Sequence, residues 1–302
     1  MTENVLWIAF ALLIIIILGL DLGVFNRRVH KITLKEALTW SAIWISIALL
    51  FGLAVFIFLG GDKATAYFTA YIIEESLSVD NLFVFLMLFT YFGVPPEYRH
   101  KVLFWGVVGA VIMRAIFIVA GVALFSAFHW IVYVFGAFLV FTGIRMGFKR
   151  EEEDVNPERN PVVKFFRRYF PVTKDYRNGH FTVREKGRRF LTPLLLVVIA
   201  VETTDIIFAI DSIPAVLAVT QDTFIVFTSN MFAVMGLRAI YFVLAGFAER
   251  LYYLHYGLAA ILSFLGLKML FSGIFEVPIL ASLGFIALVL TASVVASLRK
   301  TA

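Results

Sequence analysis

The sequence predicts an all-α protein, a polytopic transmembrane helical bundle of about nine spans in which a unit of three helices recurs as an inverted repeat. Apolar residues fill 61% of the 302 positions, with 33 Phe and a mean hydropathy of +0.92, more than a soluble core of this size requires. They gather into windows of roughly twenty residues, long enough to cross a hydrocarbon core about 30 Å thick. Two of these windows carry related acidic motifs, and an ionised side chain at the centre of a bilayer costs roughly 2.5 to 3.5 kcal/mol on insertion scales.

The first span, 4–24, follows Glu3 rather than a basic stretch and has no small-x-small cleavage site, so a retained helix is expected rather than a leader. Arg27, Arg28, Lys31 and Lys35 follow it. Spans two and three, 39–60 and 65–92, are separated by Asp62 and Lys63, and Arg99 and Lys101 come next. Spans four and five, 102–124 and 127–148, have no Lys or Arg between them. The polar segment 149–190 then carries twelve Lys and Arg against seven Asp and Glu. Spans six to nine are expected at 191–219, 223–247, 253–274 and 277–298, with Asp222, Arg250, Glu276 and the final Arg299-Lys300 between and after them. Every odd-numbered connection is the basic one, so the positive-inside rule predicts an inner-membrane protein with its N-terminus outside and its C-terminus in the cytoplasm. The expected units are N-terminal helices over 1–64, a first three-helix repeat over 65–148, a basic cytoplasmic loop over 149–190, a second repeat over 191–274 and a C-terminal helix over 275–302.

The repeat is carried by Glu74-Glu75-Ser76-Leu77-Ser78-Val79-Asp80-Asn81 and by Asp205-Ile206-Ile207-Phe208-Ala209-Ile210-Asp211-Ser212, the latter with Glu202 one turn upstream. In each, an acid is followed six residues later by Asp and then by a small polar residue. Further along, Arg114-Ala115-Ile116 is matched by Arg238-Ala239-Ile240, and Gly143-Ile144-Arg145-Met146 by Gly266-Leu267-Lys268-Met269. Three spans answering three spans force the second copy to enter the membrane from the opposite side, the arrangement of many secondary transporters.

At 100° per residue, Tyr71, Glu74, Ser78 and Asn81 share one helical face, and Glu202, Asp205, Ala209 and Ser212 share another at identical spacing. Asp80 and Asp211 lie one step off these stripes. They join the stripe residues around one ion only if a helix unwinds or the two copies complement each other, and Pro214, which cannot donate to Ile210, is a reason to expect a break in the second copy. Arg114 and Arg238 are the bases near mid-span and are expected to pair with acids, either structurally or as a gate. Arg145 and Lys268 fall near span ends, where long side chains snorkel. Asp21, at the inner edge of span one, is a helix-end partner for arginines or a ligand.

Six acids against two bases leave negative charge for a cation. Oxygen-only ligands select hard cations such as magnesium, calcium or manganese, and protons can be traded for the metal. The histidines at 30, 100, 129, 180 and 255 all lie outside the motifs, and the absence of cysteine excludes thiolate sites and disulfides. No His-Glu-x-x-His or Gly-x-Ser-x-Gly pattern is present, so no enzyme is expected. The net charge of +5 belongs to the loops, and a nucleic-acid partner is not expected. The 149–190 segment reads as a linker whose basic and aromatic parts lie against anionic headgroups, or as a docking site for a partner.

The two motifs, extended through Ile213-Pro214-Ala215-Val216, together with Leu20 to Arg28 and Gly236-Leu237-Arg238-Ala239, resemble the signature segments of the TerC family of integral membrane proteins. The resemblance covers nearly the whole chain. It implies a divalent-cation exporter fold of the LysE-like group, and Alx-type members of that family are implicated in manganese export and alkaline response. On that reading Mn²⁺ is the transported substrate, with no prosthetic group, and proton exchange is one available coupling. Glu74, Asp80, Asp205 and Asp211 are the expected principal ligands, Asn81 and Ser212 neutral oxygen ligands, and Glu75 and Glu202 proton acceptors or additional ligands. The alternative is a membrane scaffold or metallation factor acting through partner proteins, and a homo-oligomer or a membrane protein partner suits either reading.

Overall fold

The computed structural model describes residues 2–23, 32–128, 130–148, 161–185, 187–247, 253–274 and 277–301. Among the described residues, nine apolar helices fall where nine spans are expected: α1 (Thr2–Gly23), α2 (Leu34–Leu59), α3 (Gly61–Tyr91), α4 (Pro96–Ala127), α5 (Ile131–Phe148), α7 (Pro193–Leu217), α8 (Thr223–Phe247), α9 (Leu254–Leu270) and α10 (Ile279–Thr301). Between α5 and α7 lie a short helix, α6 (Pro161–Tyr169), and an antiparallel hairpin of β1 (Thr182–Glu185) and β2 (Arg188–Leu191). Among the described residues, six helices are long and apolar enough to cross a membrane: α2, α4, α5, α7, α8 and α10. α1 and α9 contain shorter apolar stretches. α3, at 31 residues, is about 46 Å long at 1.5 Å per residue, and carries Glu74 and Glu75 just before its midpoint and Asp80 just after it.

Local chemistry sets several of the boundaries. Thr33 caps α2 by accepting from the Glu36 amide at 3.3 Å. Pro96 and Pro193 begin α4 and α7, where a missing N–H costs nothing. The break expected at Pro214 does not occur: α7 runs unbroken from Pro193 to Leu217. Pro214 sits four residues from the C-cap Ala218, so only the last turn feels the lost bond, and Ile213, Ala215 and Val216 are packed in the core around it.

α8 is the interior helix of the bundle. Its apolar window is 78% buried, whereas those of α2 and α10 are 17% buried and face outward. α3 packs chiefly on α8, and α4 on α7. Lys63 pairs with Asp222 at 2.7 Å near the starts of α3 and α8, and Phe89 meets Tyr241 near their ends, so these helices run parallel. Gly106 faces Val201 and Gly121 faces Leu217, so α4 and α7 are parallel too. Because α3 and α4 are consecutive and joined by a short turn, the motif helices α3 and α7 run in opposite directions.

α5 and α9 form a separate antiparallel pair. A Cβ on Gly136 would stand 2.9 Å from the Gly266 carbonyl, and one on Gly143 would stand 2.7 Å from the Ala259 carbonyl. Small residues seven apart on each helix thus allow two close backbone approaches, the device membrane helices use in the absence of a strong hydrophobic drive. Lys268, expected to snorkel, instead donates to Ser282 Oγ of α10 at 3.1 Å, and Ser282 is fully buried.

The connections sort onto two ends of the bundle. Lys63–Asp222 joins the α2–α3 and α7–α8 turns. At the opposite end, the Tyr176 hydroxyl donates to the Phe92 carbonyl at 2.6 Å, Lys101 donates to the Gly179 carbonyl at 2.8 Å, and the Tyr253 amide donates to Ser297 Oγ at 2.8 Å. This is the grouping the alternating loop charges predict. The described part of the 149–190 segment is therefore folded against the ends of α3, α4 and α7, more structured than a linker.

Candidate cation site

The two acidic stripes are buried except at Glu202, which is half-buried. Glu74 is fully buried, Tyr71, Ser78 and Asn81 nearly so, and on α7 Asp205, Ala209 and Ser212 are closed off likewise. Between them lies Arg114 of α4, also without exposure. Its Nη1 donates to Glu74 Oε1 and, at 3.4 Å, to Asn230 Oδ1 of α8. Nε and Nη2 donate to the two oxygens of Asp205 at 3.3 and 3.2 Å. One guanidinium thus binds an acid from each motif, on two helices that run in opposite directions. Its planar fork meets the two oxygens of Asp205 with two separate N–H groups, a geometric match that an ammonium lacks.

The cluster holds more hydrogen-bonding capacity than Arg114 fills. Glu74 Oε2, Ser78 Oγ, Ser212 Oγ and the Asn230 amide nitrogen are buried without a hydrogen-bond partner among the described residues. Both oxygens of Glu75 are likewise closed off and unpartnered. Tyr71, one turn earlier, interacts with that carboxylate, but the pair falls short of hydrogen-bond geometry. Glu75 points away from Arg114, toward α8: a Cβ on Gly236 would stand 3.7 Å from Glu75 Oε1 and 3.9 Å from Trp44 Cβ of α2. Glu202 of α7 is pressed against Gly109 of α4, filling the space a side chain there would occupy. Each motif helix therefore lays a second carboxylate on a glycine of its parallel neighbour, whose span also carries an arginine. Two carboxyl groups share one arginine even before Glu75 and Glu202 are counted.

The expected ligands are thus brought together in part. Glu74 and Asp205 meet through Arg114, Asn81 and Ser212 are buried on the same stripes, and Glu75 and Glu202 flank the cluster on different sides. Arg238 lines a small cavity with Asp205, Val201 and Phe85, of about 10 Å³ and so with room for about one water. The side chains of Asp80, Asp211 and Asp21 lie outside the described residues. Among the described residues, no three Asp, Glu or His side chains are gathered as a metal cage. Asn230 was not among the expected site residues. Its signal is the polar run Thr228-Ser229-Asn230 within an apolar span, all three residues essentially unexposed.

An oppositely directed pair of acidic helices around a buried base, inside a multi-pass bundle, defines a membrane protein with a charged interior site. The chain belongs to the integral membrane protein TerC family, whose model matches residues 59–302. Among its relatives, an uncharacterised membrane protein of Myxococcus xanthus is 49% identical over 296 residues, covering 98% of this chain and 92% of the relative. The Alx protein of Escherichia coli (strain K12), named as a candidate membrane-bound redox modulator, is 48% identical over 290 residues, covering 93% and 90%. A membrane protein of Rickettsia bellii is 36% identical over 277 residues, covering 92% and 91%. No solved structure matches the chain.

Proposed function

We propose that the chain exports a divalent cation, with Mn²⁺ as its substrate, through the acidic interior between α3, α4, α7 and α8, and that protons are the counter-ions. The observation that carries this reading is the Glu74–Arg114–Asp205 cluster. Its acids outnumber its base, they come from antiparallel helices, and several of its oxygens lack partners. Arg114 then acts as a tethered cation that neutralises the site while no substrate is bound. An arriving ion must take over Glu74 and Asp205 from it, and Asp80 and Asp211, one residue off the stripes, supply the further charge. Oxygen donors favour a hard ion, in agreement with manganese.

The packing supports the inverted-repeat reading. If Glu74 matches Asp205 and Gly143 matches Gly266, a two-fold axis in the membrane plane exchanges α3 on α8 with α7 on α4. It also exchanges the Gly136–Gly266 approach with the Gly143–Ala259 approach. The redox role in the relatives' name cannot run through thiols in this chain, which has no cysteine.

Manganese uptake into inverted membrane vesicles tests the reading. Uptake is expected with the parent protein, dependent on a proton gradient, and absent from vesicles lacking it. The rival scaffold role predicts no flux and a phenotype sensitive to the 149–190 segment. Since the described part of that segment packs on the bundle, exposed point substitutions in it are the better probe than deletion.

A further inference from the structure

α6 and the hairpin lie at one end of the bundle, apart from the acidic interior. Over residues 161–191 the sequence carries nine Lys and Arg against Asp175 and Glu185. Of these acids, Asp175 is already held by Arg177 at 2.8 Å. α6 is pinned by Val163, which is 1% exposed, while Phe165 and Tyr169 on its opposite side are 52% and 63% exposed. Their rings contact each other at 4.7 Å rather than packing into the bundle, and Arg168 lies over Tyr169. Exposed aromatic rings flanked by Lys164 and Arg168, level with the ends of membrane helices, form the pattern of a segment seated at a lipid interface.

Beside α6 opens a cavity of about 730 Å³, bounded by Tyr91 at the end of α3, by Pro193 and Leu196 at the start of α7, and by Phe170, Lys174 and Tyr176 of the connecting segment. It is large enough for a headgroup and the start of its acyl chains. Apolar groups stand on its helix side and a cation on its loop side. Lys174 has no ion-pair partner among the described residues, because the neighbouring Asp175 is taken. The opening sits at the tips of helices that cross the bilayer, where a lipid phosphate is at hand and soluble anions are dilute by comparison.

We propose that this cavity binds the headgroup of an anionic phospholipid, with Lys174 meeting the phosphate and α6 lying in the membrane surface with Phe165 and Tyr169 inserted at the acyl boundary. The site ties the 161–191 segment, and through the Tyr176–Phe92 and Lys101–Gly179 hydrogen bonds the ends of α3 and α4, to the charge of the leaflet.

The test uses the full chain, purified in a neutral detergent and stripped of lipid. It is titrated with phosphatidylglycerol, phosphatidylcholine and inorganic phosphate, and bound molecules are counted by native mass spectrometry. Phosphatidylglycerol is expected to bind, and phosphatidylcholine to bind at least roughly fivefold more weakly. Lys174→Gln should weaken the anionic lipid by roughly fivefold, the ratio that about 1 kcal/mol per basic side chain at a membrane surface implies. Lys164→Gln with Arg168→Gln should weaken it further, and the exposed Arg299→Gln at the end of α10 should leave it unchanged. Equal binding of the two lipids, an unchanged Lys174→Gln, or an equal loss in Arg299→Gln would overturn the proposal. Displacement of phosphatidylglycerol by inorganic phosphate at matched concentration would assign the cavity to a free anion and overturn it as well.

Discussion

The Arg114 guanidinium holds the carboxylate of Asp205 at both oxygens, Nε to Oδ2 at 3.3 Å and Nη2 to Oδ1 at 3.2 Å, across 91 residues of sequence. The same guanidinium binds Glu74, so the two halves of the chain are joined by one base. Removing it should leave two buried acids facing each other. Arg114→Gln is expected to cost about 3–5 kcal/mol, the usual loss when one partner of a buried ion pair is deleted. A large drop in thermal midpoint in detergent would show this. The triple variant Arg114→Gln, Glu74→Gln, Asp205→Asn should recover most of the stability, because no charge is left unbalanced, while remaining inactive in transport. A triple variant as unstable as the single one would mean that packing, and not charge, holds the junction.

Glycines at two crossings make opposite demands. At Gly143 a Cβ would meet the Ala259 carbonyl and the Ser263 amide, both at 2.7 Å, and backbone cannot yield as a side chain can. Gly143→Ala should therefore destabilise by about 1–3 kcal/mol as overpacking. Gly284 in α10 has open space around it, and Gly284→Ala should gain about 0.5–1 kcal/mol from helix propensity. At Gly109 the obstacle is the mobile end of Glu202, so Gly109→Ala should fold nearly normally yet push that carboxylate aside. Manganese flux through Gly109→Ala at the parent rate would show that the placement of Glu202 is irrelevant to transport.

The Lys63–Asp222 pair predicts sidedness. The native chain has no cysteine, so single cysteines report cleanly. Lys63→Cys and Asp222→Cys should react with an impermeant maleimide from the same side, the periplasmic one, and Lys174→Cys only from the cytoplasmic side. Reaction of positions 63 and 222 from opposite sides would contradict the packing of α3 along α8. The ion pair itself is partly exposed, and Lys63→Gln should change stability by less than about 1 kcal/mol.

Asp80 and Asp211 occupy matching positions in the two motifs. Asp→Asn keeps the shape and removes the charge that a dehydrated divalent ion needs. Each single variant is expected to abolish manganese uptake into inverted vesicles while still inserting into the membrane. The double variant should be no worse than either, since both acids serve one ion. Uptake at the parent rate in both singles would exclude a shared site.

Sequence alone determined the helical class, the approximate position of every apolar helix and the buried face of both motifs. A membrane forces backbone hydrogen bonds to close within each segment, and a 3.6-residue period fixes which side chains share a face. It also placed Arg114 deep in the bundle, because a base in mid-span has nowhere else to go. Which acids that base takes depends on the fold. Glu74 and Asp205 are both within its reach while Glu75, the adjacent residue, is turned toward Gly236 and Trp44, a matter of how α3, α4, α7 and α8 cross. Asn230, the straight course of α7 through Pro214 and the hairpin at 182–191 were settled in the same way. Each depends on contacts between segments far apart in the chain, which local periodicity does not encode.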